Sequence, residues 1–408
     1  MAKSVHAKPV NLIRSDSIEA LVAEHLDSTF TAISLMVWKS GEVLLYRAWG
    51  EAELDSLFDL ASITKLYTVH AFLSHVGEGT VTLDTPLVAW VPEFGESSID
   101  DADGLRPVGQ PQTLMNGSDS ISVGQNSGEY ADPRAITFRQ LLTHTAGLAA
   151  WLPLYLVVGP MPPEPPKADP TPRADRMKAA LAAIANAPFV VKPGESIIYS
   201  DMGLILLGEA IARMEGVPLD EAIKARVLNP LGLSGTVYDP VRRGISRDRV
   251  MPTELDEIWR GRRCWGEVHD ENACGLGEIA GHAGLFAPVA DVLMLGVKAL
   301  IGMPEVLPEA LEHDAQQEQI ADGNVRKGLG WALKAKDDSF MGELFDEQSF
   351  AHTGYTGTSL AVDPTRELVV ACLTNRVYFG RDSGPIHRFR RALHDEIVRS
   401  IEDGTNDK

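Results

Sequence analysis

At 408 residues, with 44% hydrophobic and 23% charged side chains, the chain can fill a large core in more than one sub-domain and has the make-up of a soluble globular protein. Its formal net charge is −20, from 57 acidic and 37 basic residues. Such a field repels phosphate backbones and argues against nucleic acid as a partner.

Met1 to Asn11 carries Lys3 and Lys8, but no apolar stretch follows, and no run of the sequence is long enough to span a membrane. As it stands, the sequence points to the cytoplasm, or to the periplasm if a signal has been trimmed. Asp16–Asp27 predicts an amphipathic helix, with Ile18, Leu21, Val22 and Leu26 at helical spacing. Ala32–Trp38 and Val43–Trp49 predict two strands around Lys39-Ser40-Gly41-Glu42, a hairpin with Gly41 free to take positive φ. Arg139–Leu142, Asp175–Ala187 and Gly203–Glu215 read as helices. Gly95–Arg134 and Gly159–Pro172 read as long loops, each a functional lid or a poorly ordered excursion. Thr358–Val362 and Glu367–Leu373 read as strands joined by a turn, and Ile386, Phe389, Leu393, Ile397 and Ile401 mark a terminal helix. Cys264, Cys274 and Cys372 form neither a disulfide framework nor a zinc pair and read as buried or free thiols.

Strands at both ends with helices between them predict an α+β chain with one antiparallel sheet assembled from both termini. The expected division is a discontinuous sheet domain, 12–75 and 288–405, around a helical domain, 76–287, that carries loop excursions 95–134 and 159–172.

Three constellations carry chemistry. In Ser62-Ile63-Thr64-Lys65, at a helix start, the hydroxyl and the amine fall on one face. A serine is a weak nucleophile until a base removes its proton, and a lysine does this only if its pKa falls well below the ordinary value. In Tyr199-Ser200-Asp201, residues i and i+2 of an extended segment face the same way. Tyr199 and Asp201 would then face a cleft and Ser200 away from it, with Asp201 also placed to cap the next helix. In His352-Thr353-Gly354, a strand edge beside a nucleophile can lend a backbone N–H to an oxyanion, and Gly354 would let substrate backbone approach closely. Each also has a bland counterpart: a Ser-x-x-Lys spacing that arises by chance, a core tyrosine with a helix cap, a strand-end histidine with turn glycines.

Together and in this order, Ser-x-x-Lys, Tyr-x-Asp and His-Thr-Gly resemble the signature of serine β-lactamases and penicillin-binding proteins. The likeness is greatest to the class C branch, with its D-Ala-D-Ala carboxypeptidases, D-aminopeptidases and β-lactamase-like esterases. Phe58–Lys65, Leu141–Leu148, Pro193-Gly194 and Pro230–Leu233 agree with it, and it spans about Ala32 to Arg376. The resemblance implies a five-stranded antiparallel sheet flanked by helices plus an inserted all-helical domain, with the site between them. It implies Ser62 as the acylated nucleophile, Lys65 as its base partner and Tyr199 in proton transfer. Asp201, His352, Thr353, Gly354 and Tyr355 would bind substrate, with the N–H groups of Ser62 and Tyr355 as the oxyanion hole. No cofactor or metal is implied, and the partner is a small molecule or short peptide.

Asp201 stands where the family usually has Asn, and His352 where β-lactamases have Lys. A histidine is at most partly protonated at neutral pH, so a substrate carboxylate meets a weaker cation there. The substrate is then a β-lactam, a D-Ala-D-Ala-type peptide or a related amide, or alternatively a small ester. Glu267–Ala273 and Gly281–Phe286 offer His269, Asp270 and His282 either as pocket residues or as ties on a glycine-rich loop. Trp151 and Tyr155 are either aromatic walls or core. Three other readings compete. A metal hydrolase would use His144, His269, Asp270, His282 and His352, but these lack metal-ligand spacing. A non-catalytic penicillin-binding sensor would not need the full acylation set, and an α/β-hydrolase lacks its Gly-x-Ser-x-Gly elbow.

Overall fold

A computed structural model describes residues 9–109 and 126–406. Lys3, Lys8 and residues 110–125 of the predicted excursion lie outside them. Nine strands form one antiparallel sheet: β1 (Val10–Asn11), β2 (Ala32–Lys39), β3 (Glu42–Gly50), β4 (Ile320–Asp322), β5 (Val325–Lys327), β6 (Ala332–Leu333), β7 (Phe350–Thr353), β8 (Ser359–Asp363) and β9 (Leu368–Thr374). Their order across the sheet is β1-β3-β2-β9-β8-β7-β6-β5-β4. The termini meet where β9 pairs with β2, from Leu368 opposite Lys39 to Thr374 opposite Ile33. The four longest strands, β3, β2, β9 and β8, are the expected ones, and β7 is a further strand of four residues. Ladders of two or three residues carry the sheet beyond these five at both edges. In the β2–β3 turn Ser40 and Gly41 both take positive φ, 47° and 96°, which matches the twist of the flanking strands.

The principal helices are α1 (Asp16–His25), α2 (Thr64–Gly77), α3 (Asp201–Glu215), α4 (Val289–Ile301) and α5 (Gly384–Asn406). The central strands alternate between two cores because successive side chains point to opposite faces. Ile33, Leu35, Val37, Val370 and Cys372 join Ile18, Val22, Phe389, Leu393 and Ile397 under α1 and α5. Leu360, Val362, Val369, Ala371 and Leu373 join the larger core on the other face. There α4 presses so close that a Cβ on Gly296 would lie 2.7 Å from both Leu360 and Val369. No helix among the described residues is long and apolar enough to cross a membrane.

The segment between α2 and α4 holds most of the remaining helix, including Arg173–Ala185, but also short ladders. Arg106–Gly109 pairs with Asn126–Ala131 inside the predicted 95–134 loop, anchored by the buried Arg106 guanidinium on Phe94 and Asp100. Leu285–Ala287 lies between Phe58–Asp59 and Val237–Tyr238, which seats the Ser62 turn. The proline-dense 159–172 stretch is no loose excursion. Arg176, Arg242 and Arg247 donate to the carbonyls of Pro160, Pro163, Pro165 and Lys167. All three cysteines are buried and free.

Candidate functional site

Ser62 sits in a single 3-10 turn, Ala61–Ile63, that feeds directly into α2. The residue before it, Ala61, holds φ at 47°, a left-handed conformation that costs a non-glycine residue about 1–2 kcal/mol. What holds it is Asp59, whose carboxylate accepts the Ala61 N–H at 2.8 Å and the His269 N–H at 2.6 Å. Burial raises the Asp59 pKa despite these two donors. Across the cleft, the Thr356 and Thr358 hydroxyls donate to the carbonyls of Asp59 and Leu60, fastening the β7–β8 connection to the same turn.

Gly354 belongs to that fastening. A Cβ there would collide with the Thr358 hydroxyl and the Leu60 carbonyl. The close approach expected of substrate at this glycine is made instead by the protein's own backbone.

The Lys65 ammonium lies 2.6 Å from the Ser62 hydroxyl, 2.8 Å from Asp201 Oδ1 and 3.2 Å from the His282 carbonyl. Burial alone would lower its pKa, but the Asp201 charge and hydrogen bonds to Asp201 and Tyr199 outweigh burial and raise it. The depressed lysine expected of a serine-activating base is therefore not what the structure holds: the resting amine is a paired ammonium. Asp201 explains the reversal. It is the first residue of α3, the N-cap position belongs to Ser200, and its carboxylate serves Lys65 rather than capping the helix. Ser200 faces away, its hydroxyl on the Ala149 carbonyl.

Tyr199 is partly exposed and lies between several groups. Its ring centroid is 5.0 Å from the Lys65 amine, 5.2 Å from the Lys327 amine, 4.5 Å from the His144 ring and 6.3 Å from the His352 ring. Both imidazoles are neutral. Burial, then the nearby lysines, push their pKa values well below the ordinary one. His144 Nδ1 accepts the Ser200 N–H, which fixes the Tyr199 segment. His352 turns Nδ1 onto the Thr353 carbonyl.

Ser62, Tyr199, Thr353, Gly354 and Tyr355 open onto one cavity of about 530 Å³. Its remaining lining includes Arg376, Arg388 and Arg390 and no carboxylate. The Tyr355 ring is clamped between the Arg376 guanidinium at 4.5 Å and a stacked His269 at 5.7 Å.

The second histidine cluster lies behind this cavity. His282 pairs with Asp270 at 2.9 Å, and Asp270 also caps the helix Glu271–Gly275 through the Ala273 N–H. Burial would raise the Asp270 pKa, but His282 and its hydrogen bond hold it below the usual carboxylate range. Asp201, Asp270 and His282 converge, with ligand-type atoms all within 4.8 Å of one another. They are the residues here that could hold a metal ion, but Asp201 and Asp270 are already bonded to Lys65 and His282. His144, His269 and His352 do not join that group, so the five-residue metal set is not assembled. His269 bonds Glu254 at 2.8 Å, and Arg381 ties Glu254 to Glu271. Trp151 and Tyr155 do not line the Ser62 cavity; they form an aromatic string with Trp259.

Lys327 and the arginine rim were not found by reading the sequence. Lys327 sits in Val325-Arg326-Lys327-Gly328, where nothing local marks a buried amine.

The chain matches the Beta-lactamase family over residues 18–394. It is 25% identical over 397 residues to an Escherichia coli K12 protein named "Putative D-alanyl-D-alanine carboxypeptidase", covering 90% of this chain and 83% of that one. Its fold is similar to EstCE1, "a hydrolase with promiscuous acyltransferase activity", at 20% identity and TM-score 0.65, over 92% of this chain and 97% of that one. It is also similar to a D-stereospecific amidohydrolase from Streptomyces sp., at 21% identity and TM-score 0.60, over 90% and 96%. With its α+β fold, the chain belongs to the Beta-lactamase family and is a serine hydrolase.

Proposed function

We propose that Ser62 is acylated by a small amide or peptide substrate that carries a carboxylate, of the D-Ala-D-Ala or β-lactam type, and that water then releases the acyl group. The observation that carries this reading is the Lys65 ammonium, 2.6 Å from the Ser62 oxygen and held there by Asp201. The arginine rim supports an acidic substrate: it supplies the cations that a neutral His352 does not.

Because Lys65 is already protonated, the Ser62 proton moves by way of the Tyr199 hydroxyl. As the Ser62 Oγ–acyl carbon bond forms, the Tyr199 oxygen takes that proton. It passes the proton to the leaving nitrogen as the carbon–nitrogen bond breaks. In the second half, Tyr199 takes a proton from the attacking water and returns it to Ser62 Oγ as the ester bond breaks. The N–H groups of Ser62 and Tyr355 serve as donors to the oxyanion. Thr353 and Gly354 border the acyl group, and Asp270 and His282 keep the Lys65 pocket in shape.

Intact mass after incubation with benzylpenicillin and with short-chain p-nitrophenyl esters tests the reading, with Ser62→Ala as control. The expected result is one acyl adduct on the wild type and none on Ser62→Ala. An adduct that persists in the variant, or no adduct with any acyl donor, overturns it. A penicillin adduct that never turns over, with no ester hydrolysis, would instead favour a binding protein.

A further inference from the structure

The helix Arg173–Ala185 and α3 leave between them a groove of about 860 Å³, whose lining shares no residue with the Ser62 cavity. One face of that helix forms its floor, with Met177, Leu181, Ala182 and Ala185, and Ala212 and Ile279 close the sides. An apolar floor with a few polar groups is the usual make-up of a small-molecule site, and such sites have volumes of roughly 300–1,000 Å³.

Arg173 stands at one end of the groove. Its Nε and Nη2 both donate to the Ile279 carbonyl, at 3.1 and 2.7 Å, which fixes the guanidinium in place. Among the described residues no carboxylate bonds it, and Nη1 has no acceptor. The acids nearest to it are already paired: Glu209 with Arg213 at 2.8 Å, and Asp220 with Arg243. Glu93 also lines the groove and pairs with Arg213. That leaves Arg173 and Lys178 against Glu96. Glu96 lies at the far end of the helix, where Ser97 and Ser98 bond Asn186, about 20 Å along the axis from Arg173. Arg173 is also the first residue of its helix, with Pro172 at the N-cap and no side chain capping the turn, so the helix dipole adds positive charge at the same end. Asp175, the acid of that turn, does not line the groove.

We propose that this groove is a second binding site, for an amphipathic monocarboxylate of the fatty-acid class. The carboxylate sits on Arg173, where it accepts from the free Nη1, and the chain lies along Met177, Leu181 and Ala182. A wholly apolar occupant leaves the guanidinium without an anion. A second negative charge on the ligand meets Glu209 and Asp220. The site does not depend on the chemistry assigned to Ser62.

Calorimetry on the full chain tests it, with decanoate below its micelle concentration as the probe and decan-1-ol as its neutral counterpart. Ala182 is exposed, so Ala182→Trp fills the groove without disturbing the core. That variant should lose decanoate binding and keep wild-type turnover of a p-nitrophenyl ester, which shows that it is folded. Arg173→Met should weaken decanoate roughly tenfold or more and change decan-1-ol affinity by less than about twofold. A decanoate carrying a diazirine at its chain end should label the helix Arg173–Ala185 or α3. Absence of decanoate binding to the wild type would overturn the proposal, as would undiminished binding to Ala182→Trp. Equal losses of both probes in Arg173→Met would show that Arg173 only braces the Ile279 segment and would sink the anion assignment. Labelling confined to the segment 376–390 would place the acid on the arginines of the Ser62 cavity and overturn the second site.

Discussion

The two faces of the sheet are built on opposite principles. Under α1 and α5 the core is mostly apolar, with Arg390 and His394 buried beside it, and many of its residues come from short, periodic stretches near the two termini. On the other face, Asp59, Lys65, His144, Asn272, Glu278, His282, Lys327 and His352 are buried beside the larger core. Some are held by partners distant in sequence, as Lys65 is by Asp201 and Asp59 by the His269 backbone. The first face takes its stability mainly from packing. The second trades some of that stability for charges set at fixed positions. Perturbing the first should therefore change stability and leave chemistry alone, whereas perturbing the second should change both.

The largest stability effect is expected on the apolar face. Leu393 is fully buried between α5 and the sheet. Leu393→Ala should cost about 2–5 kcal/mol, as cavities in such cores do, measured by urea unfolding. Turnover per folded molecule should stay near the wild-type level, because Leu393 does not line the Ser62 cavity, which meets this core at Ile386. A large fall in kcat would break the comparison, since it would show that the two faces are coupled through the sheet.

Gly354→Ala sharpens the comparison from the other side. Its Cβ has no room between the Thr358 hydroxyl and the Leu60 carbonyl, so the β7–β8 connection or the Ser62 turn must shift. Overpacking of this kind costs about 1–3 kcal/mol, less than the Leu393 cavity, yet turnover should fall at least tenfold. A variant that is destabilised but fully active would show that this joint does not position Ser62.

How legible each face was in the sequence follows from the same difference. The β2–β3 hairpin, the β8–β9 pair and the α5 stripe were readable because period-2 and period-3.6 patterns are local. The order of Ser62, Tyr199 and His352 was readable as a signature, and the structure brings Ser62, Lys65 and Tyr199 together. Their electrostatics were not readable. The Lys65 pKa depends on whether Asp201 caps its own helix or reaches across to α2, and sequence spacing does not decide between those. Lys327 was missed because the groups shown near it, Lys65, His144, Tyr199 and His352, all come from distant parts of the sequence. The three short strands beyond β7 were missed because strands of two or three residues carry no periodicity.

The last expected effect comes from Glu278, and it separates the faces by pH. Its side chain is buried on the second face, where it accepts the Val268 N–H at 2.7 Å and lies 3.6 Å from both the Cys274 thiol and Arg242. Burial, reinforced by Asp239 and Glu267, pushes its pKa up to about 8, although the Val268 N–H and Arg242 pull the other way. The folded state therefore keeps a proton that the unfolded chain releases near the ordinary carboxyl value. The stability linked to that proton is fully present below about pH 4.5 and is lost as pH rises through about 8. One proton sets the limit of the slope, about 1.4 kcal/mol per pH unit. Glu278→Gln should flatten stability between pH 5 and 8 in urea titrations, whereas Leu393→Ala should lower the whole curve without changing its slope. If Glu278→Gln keeps the wild-type slope, the titrating group lies elsewhere, and the second face is less strained by its charges than its burial implies.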